Sequence, residues 1–215
     1  MTNSATNNKR IAKNTILLYF RMLFMMVVSL YTSRVILSIL GVEDFGIYNV
    51  VGGIVSLFSF LNGSMSTATQ RYLTFEIGTG DTEKLKKTFS LCITIHAIIA
   101  LIIVILAETV GLWLLTTKMN IPTERIDAAM WVYQLSVFTC VVLMMSVPYN
   151  ADIIAHEKMG TFAYISIFEV TAKLLIVYLL NYIDYDKLKI YAILMFCIQA
   201  IIRAIYGVYC KRHFV

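Results

Sequence analysis

The feature that most constrains this 215-residue chain is a succession of apolar runs, each long enough to cross a bilayer as a helix. A hydrocarbon core takes about 20 helical residues to span. Six runs meet that length: residues 15–40, 46–75, 89–115, 128–149, 162–181 and 188–209. The separators between them are short and polar. The first, Gly41-Val42-Glu43-Asp44, is so tight that the first two runs should form a helical hairpin. Only 14% of the residues are charged against 59% hydrophobic, too little polar surface to clothe a water-facing domain of this size. The expected fold is therefore an all-α polytopic membrane protein: a six-transmembrane-helix bundle over 15–210, an N-terminal segment at 1–14 and a short end at 211–215.

Orientation follows from the basic residues. Lys9, Arg10, Lys13, Lys84, Lys86, Lys87, Lys158, Lys211 and Arg212 fall on one side of the expected topology. Only Lys118, Arg125, Lys187 and Lys189 fall on the other. Because positive loops stay in the cytoplasm, both termini are expected inside. The first run is too long for a signal peptide, carries Arg21 and Arg34, and lacks an A-x-A cleavage pattern, so it reads as a retained span.

Soluble chemistry finds no foothold in the motifs. Cys92, Cys140, Cys197 and Cys210 are scattered through or beside the runs without C-x-x-C spacing. His96, His156 and His213 show no i,i+4 pairing with one another. No G-x-S-x-G elbow, phosphate loop or H-E-x-x-H occurs. No enzyme, metal or cofactor is expected. The isoelectric point near 9.0 is explained by the inner-face lysines and arginines rather than by nucleic acid binding. Pro122 and Pro148 fall at expected span ends, where a missing donor matters least.

Charges inside the runs need a reason, because each carries an insertion penalty of about 2.5–3.5 kcal/mol. The basic ones are Arg21, Arg34, Arg71, Lys173 and Arg203, and the acidic ones Glu76, Glu108 and Glu169. Arg21 and Arg203 lie near the inner surface, so each can either snorkel to the headgroups or line a cavity. Gln199 and Tyr206 share a face with Arg203 and favour the lining. Arg71 and Glu76 read as a solvated helix end. Arg34 lies towards the outer end of its run, with Tyr31 and Ser38 on the same face. Lys173 is near the middle of the fifth run, one turn after Glu169. The two can neutralise each other as an i,i+4 pair, either for structure alone or facing a hydrated cavity. His96 reads as a packing residue.

The second run carries a polar stripe. Asn49, Gly52, Ser56, Ser59, Gly63, Ser66 and Gln70 recur at spacings of three and four, which aligns them on one face. Such a face either admits a neighbouring helix closely or lines a groove. Asn49 and Gln70 are more polar than close packing requires, which favours the groove.

Three segments resemble Wzx-type oligosaccharide flippases, of the superfamily that also holds the lipid II flippase and the MATE drug exporters. They are residues 33–48 (SRVILSILGVEDFGIY), 64–72 (SMSTATQRY) and 148–158 (PYNADIIAHEK). The resemblance implies two lobes of six helices that rock around a cationic central cavity, in the bacterial inner membrane. It implies a glycan on a polyprenyl diphosphate as cargo, an anionic lipid-linked partner that basic side chains would attract. By the same resemblance Arg34 is the first candidate for lining the cavity, followed by Arg21, Lys173 and Arg203, with Glu169, Asn49, Gln70 and Gln199 as polar companions. The chain corresponds to the first lobe, so a second lobe or another copy is the expected partner besides membrane lipids. A MATE-like, cation-coupled drug exporter and a truncated, non-transporting membrane fragment are the competing readings. The first run, with arginines and no acid before Glu43, counts against the exporter.

Overall fold

The computed structural model describes residues 2–57 and 60–214, with side chains described except at 2–11, 13, 60 and 61. Ser59 of the polar stripe, and the side chains of Lys9, Arg10 and Lys13, lie outside the described residues. Every element is helical: α1 (Thr2–Ser56), α2 (Phe60–Thr79), α3 (Thr82–Leu106), α4 (Leu112–Thr117), α5 (Ile126–Ala155), α6 (Met159–Leu180) and α7 (Lys187–His213). A π turn, Ala107–Gly111, joins α3 to α4, and a 3₁₀ turn, Thr123–Arg125, leads into α5.

Among the described residues, five helical stretches are long and apolar enough to cross a membrane: Asn14–Ser56, Thr82–Thr117, Thr123–Ala155, Met159–Leu180 and Lys187–His213. The chain is therefore a helical protein with the build of a membrane protein. It differs from the expected six runs at the second. Within residues 46–75, α1 ends at Ser56 and α2 begins at Phe60, and α2 is not among the five. Gly52, Gly53 and Ser56 are poor helix formers at the end of α1.

Gly41 divides α1 into two limbs. Its backbone, at φ 78° and ψ 172°, leaves the helical region. Only glycine reaches that conformation without a clash between Cβ and carbonyl. The limbs run in opposite directions. In the first, the Arg21 guanidinium sits over the Phe162 ring near the start of α6, and the Tyr31 hydroxyl meets that of Tyr178 near its end at 2.7 Å. In the second, Tyr48 packs edge-on to Tyr191 near the start of α7, while Ser56 shares a pocket with Gln199 further along. Helices α6 and α7 are antiparallel, since Thr161 bonds Tyr209 and Gln199 bonds Glu169 across them.

Helix α5 is the centre of the bundle and packs against α1, α2, α3, α6 and α7. Its Val132, Tyr133, Val137 and Met144 are all but inaccessible. Pro148 lies inside this helix rather than at its end, because the helix runs on to Ala155. The missing proline N–H leaves the Met144 carbonyl without its ordinary i+4 donor. One buried bond shapes the α3–α4 junction: the Tyr133 hydroxyl donates to the Ala107 carbonyl at 2.7 Å. The π turn opens at that carbonyl. Gly111 closes the turn directly over Tyr133, where a Cβ would come within 2.1 Å of the hydroxyl oxygen.

The expected outer ends are tied by charge. Arg125 reaches Asp44 beside the Gly41 turn through both Nε, at 2.9 Å, and Nη2. Its Nη1 meets Asp186 at 3.2 Å in the α6–α7 connection. Asp186 also caps α7 by accepting from the backbone of Leu188 and Lys189. Lys189 pairs with Asp127 close by. Arginine suits this position because its planar fork serves two carboxylates at once.

Candidate functional site

A pocket of about 250 Å³ opens between the second limb of α1, α5, α6 and α7. The chain places small and hydroxylated residues there: Gly52 and Ser56 from α1, Ser136 and Thr139 from α5. Lys173 and Gln199 supply the polar walls from α6 and α7, and Tyr48 closes one end. A larger hollow, about 810 Å³, lies along α2, but every residue lining it belongs to that one helix, between Thr67 and Phe75. A single helix cannot wrap a ligand, so that hollow is exposed helix surface. The four-helix pocket is the better candidate, although it is smaller.

Polar groups converge beside it. Lys173 Nζ lies 2.5 Å from Glu169 Oε1, and the same oxygen accepts from Gln199 Nε2 at 2.8 Å. The i,i+4 spacing on α6 makes the first contact local. The second joins α6 to α7 and fixes the carboxylate from both sides. Ser166 and Tyr206 continue this polar track towards the inner end, within electrostatic reach of Glu169 and Arg21. Lys173 pairs directly with Glu169, whereas Arg21, stacked on Phe162 about two turns earlier in α6, feels that carboxylate only through space.

Arg21 is the group with most left to do. Its guanidinium stacks on Phe162 with 4.3 Å to the ring centroid. Its Nε and Nη1 are buried and have no hydrogen-bond acceptor. Buried donors are almost always paired, so such nitrogens call for an acceptor from outside the described side chains. Arg203 is placed differently. It lies 3.8 Å over the Tyr149 ring, in room left by Gly207, where a Cβ would stand 2.9 Å from its Nη1.

The remaining candidates do not join this cluster. Arg34 is exposed on the outer part of the first limb, and no described residue makes a hydrogen bond or ion pair with it. Asn49 is exposed and donates to the Phe45 carbonyl of its own helix at 2.7 Å. Gln70 donates to Ser66 on α2 at 3.1 Å. The polar stripe therefore contributes Gly52 and Ser56 to the pocket, but neither of its amides. His96 is fully buried, with Nδ1 2.7 Å from the Cys92 carbonyl. Nδ1 therefore donates, which leaves Nε2 as an unpartnered acceptor.

Residues that sequence patterning did not single out are Ser136, Thr139 and Tyr48 of the pocket, and Asp44, Arg125 and Asp186 of the outer clamp. Ser136 and Thr139 give a weak signal, polar residues three apart in an apolar run. Among the described residues no cluster of histidine, cysteine or carboxylate side chains could hold a metal, and the four cysteines are free thiols. Compared with known proteins, the chain matches no family model, no curated protein and no solved structure.

Proposed function

We propose that this chain is one lobe of a bacterial inner-membrane transporter that moves a glycan carried on a polyprenyl diphosphate, with both termini in the cytoplasm. The observation that carries the reading is Arg21, a half-buried guanidinium whose Nε and Nη1 lack an acceptor, with a second cation, Lys173, further along α6 and paired there to Glu169. An anionic group with several acceptor oxygens satisfies those donors, and a phosphate is the simplest one. In the low dielectric of a membrane interior the excess positive charge attracts it more strongly than in water. The glycan and the polyprenyl tail come from the resemblance of residues 33–48, 64–72 and 148–158 to Wzx-type flippases.

The pass count fits a lobe of this kind. The limbs of α1 reverse about Gly41, and the second limb with α2 makes one crossing. Counted this way with the four later stretches, the reading has six passes, an even number that would return the chain to its starting side, where five stretches of spanning length are found among the described residues. The pocket is too small for a whole lipid-linked sugar, so a second lobe or another copy supplies the opposite wall. A cation exporter needs a free membrane-embedded acid. Glu169, the carboxylate next to the pocket, is already held by Lys173 and Gln199.

The test is complementation of a strain lacking its own surface-glycan flippase, with the chain alone and fused to a matching second lobe. Arg21→Ala and Lys173→Met should abolish surface glycan at equal protein level, while Arg34→Ala, outside the cluster, should reduce it less. Restoration that survives loss of both Arg21 and Lys173 would sink the cationic-site reading. If every version inserts normally and none restores glycan, the inert-fragment reading stands instead.

A further inference from the structure

We propose that the face of α3 and α5 around Glu108 and Gln134 is where two copies of this chain associate within the bilayer. Glu108 lies in the π turn and is exposed, with Leu-Ile-Ile-Val-Ile-Leu-Ala before it and Val110, Gly111, Leu112 and Trp113 shortly after. Among the described residues its carboxylate has one hydrogen-bond partner, the Gln134 amide of α5, which donates at 3.2 Å. Among the described residues no lysine or arginine pairs with it. Eight residues separate Glu108 from Thr116, about 12 Å of helix. Seven separate Gln134 from Asp127, about 10 Å. With α3 and α5 spanning the membrane, on which this inference rests, both side chains sit inside the hydrocarbon. An exposed carboxylate there, shared only with a neutral amide, is expensive unless a protein surface covers it.

A second copy is the occupant because the pair is self-complementary. Glu108 keeps one oxygen unused, and Gln134 keeps an amide hydrogen and its carbonyl. Across a two-fold axis the Gln134 amide of each copy donates to the Glu108 carboxylate of the other, which is the reciprocity an isologous interface needs. Polar pairs of this kind join helices in lipid, where apolar surface alone gives no drive to associate. Around the pair the exposed residues are Leu101, Ile105, Trp131 and Phe138, so no charge besides Glu108 itself lies on the approach.

The test is resonance energy transfer between donor- and acceptor-labelled full-length chains in phosphatidylcholine vesicles, read against the lipid-to-protein ratio. Transfer should persist on dilution for the unaltered chain. Glu108→Leu with Gln134→Leu should weaken self-association by about tenfold or more, since each polar contact in lipid is worth a modest factor and two are lost. Both changes make the face more apolar, so insertion is preserved, and flotation with the vesicles confirms it. Glu108→Gln should keep most of the association, because an amide can still accept and donate. Undiminished transfer in the double leucine variant, or none in the unaltered chain, would overturn the proposal. Loss in Glu108→Gln alone would also overturn it, since that points to a cationic partner. A chain that fails to float would overturn the membrane-spanning premise, and this interface with it.

Discussion

Replacing Gly111 with alanine tests how the π turn is built. The new methyl group would sit 2.1 Å from the Tyr133 hydroxyl oxygen and 3.5 Å from an Ile54 methyl. Tyr133 has no measurable exposure, so its ring has nowhere to retreat. Either the hydroxyl leaves the Ala107 carbonyl or the helix shifts. Losing that bond with the carbonyl still buried costs about 1–3 kcal/mol. Overpacking adds about 1–3 kcal/mol, and the better helix propensity of alanine returns up to about 1. The net expectation for Gly111→Ala is a loss of roughly 2–4 kcal/mol. Tyr133→Phe removes the clashing oxygen and leaves the ring carbon 3.3 Å from the new Cβ. In the double variant the junction can return to α-helical bonding, with the Gly111→Ala backbone N–H serving the Ala107 carbonyl. The double variant should therefore be more stable than Gly111→Ala alone, with a coupling of about 2 kcal/mol. Equilibrium unfolding in mixed micelles measures the cycle. A neutral Gly111→Ala variant, or two effects that simply add, would refute the reasoning.

Other positions give sharper or smaller effects. Arg125→Ala should destabilise by about 2–3 kcal/mol, because it strands Asp44, whose side chain is only 10% exposed, and frees Asp186. Arg125→Lys should restore little of this, since one ammonium cannot serve both carboxylates; the same unfolding assay checks both. Lys173→Met should destabilise by about 1–3 kcal/mol by leaving Glu169 with Gln199, and adding Glu169→Gln should recover most of it. Asp81, which caps α3, is held below the usual carboxylate range by the Lys84 backbone N–H and then by the Lys84 side chain. Its contribution to stability is present above the ordinary carboxylate pKa and fades as pH falls through the lowered one. Asp81→Ala should therefore flatten the acid limb of the stability–pH curve, and an unchanged limb would contradict it.

How much of this was legible in the sequence depends on whether the signal was local. Composition and run length announce helices that can cross a membrane, and Gly41 before Glu43-Asp44 marks the turn that the backbone makes. The Glu169–Lys173 contact follows from i,i+4 spacing. Gln199 was placed near Arg203 on helical periodicity, but nothing local says that it crosses to Glu169 on α6. Arg34 had the strongest resemblance-based claim and sits outside the cluster, because periodicity assigns a residue to a face without saying what that face meets. The continuous apolarity of 46–75 concealed the end of α1 at Ser56. Arg125 read only as an outer positive charge, since its partners lie 61 and 81 residues away in the chain. The π turn depends on a hydroxyl 26 residues distant. These are tertiary pairings, and hydropathy does not encode them.

The most direct measurement of the central claim is binding of a short-chain polyprenyl diphosphate to the full chain in nanodiscs, beside the matching polyprenyl alcohol. The expected result is saturable binding of the diphosphate, little for the alcohol, and a loss of tenfold or more on Arg21→Ala or Lys173→Met, about 1.4 kcal/mol or above. Equal binding of alcohol and diphosphate, or diphosphate binding indifferent to both substitutions, would contradict an anion site built on Arg21 and Lys173.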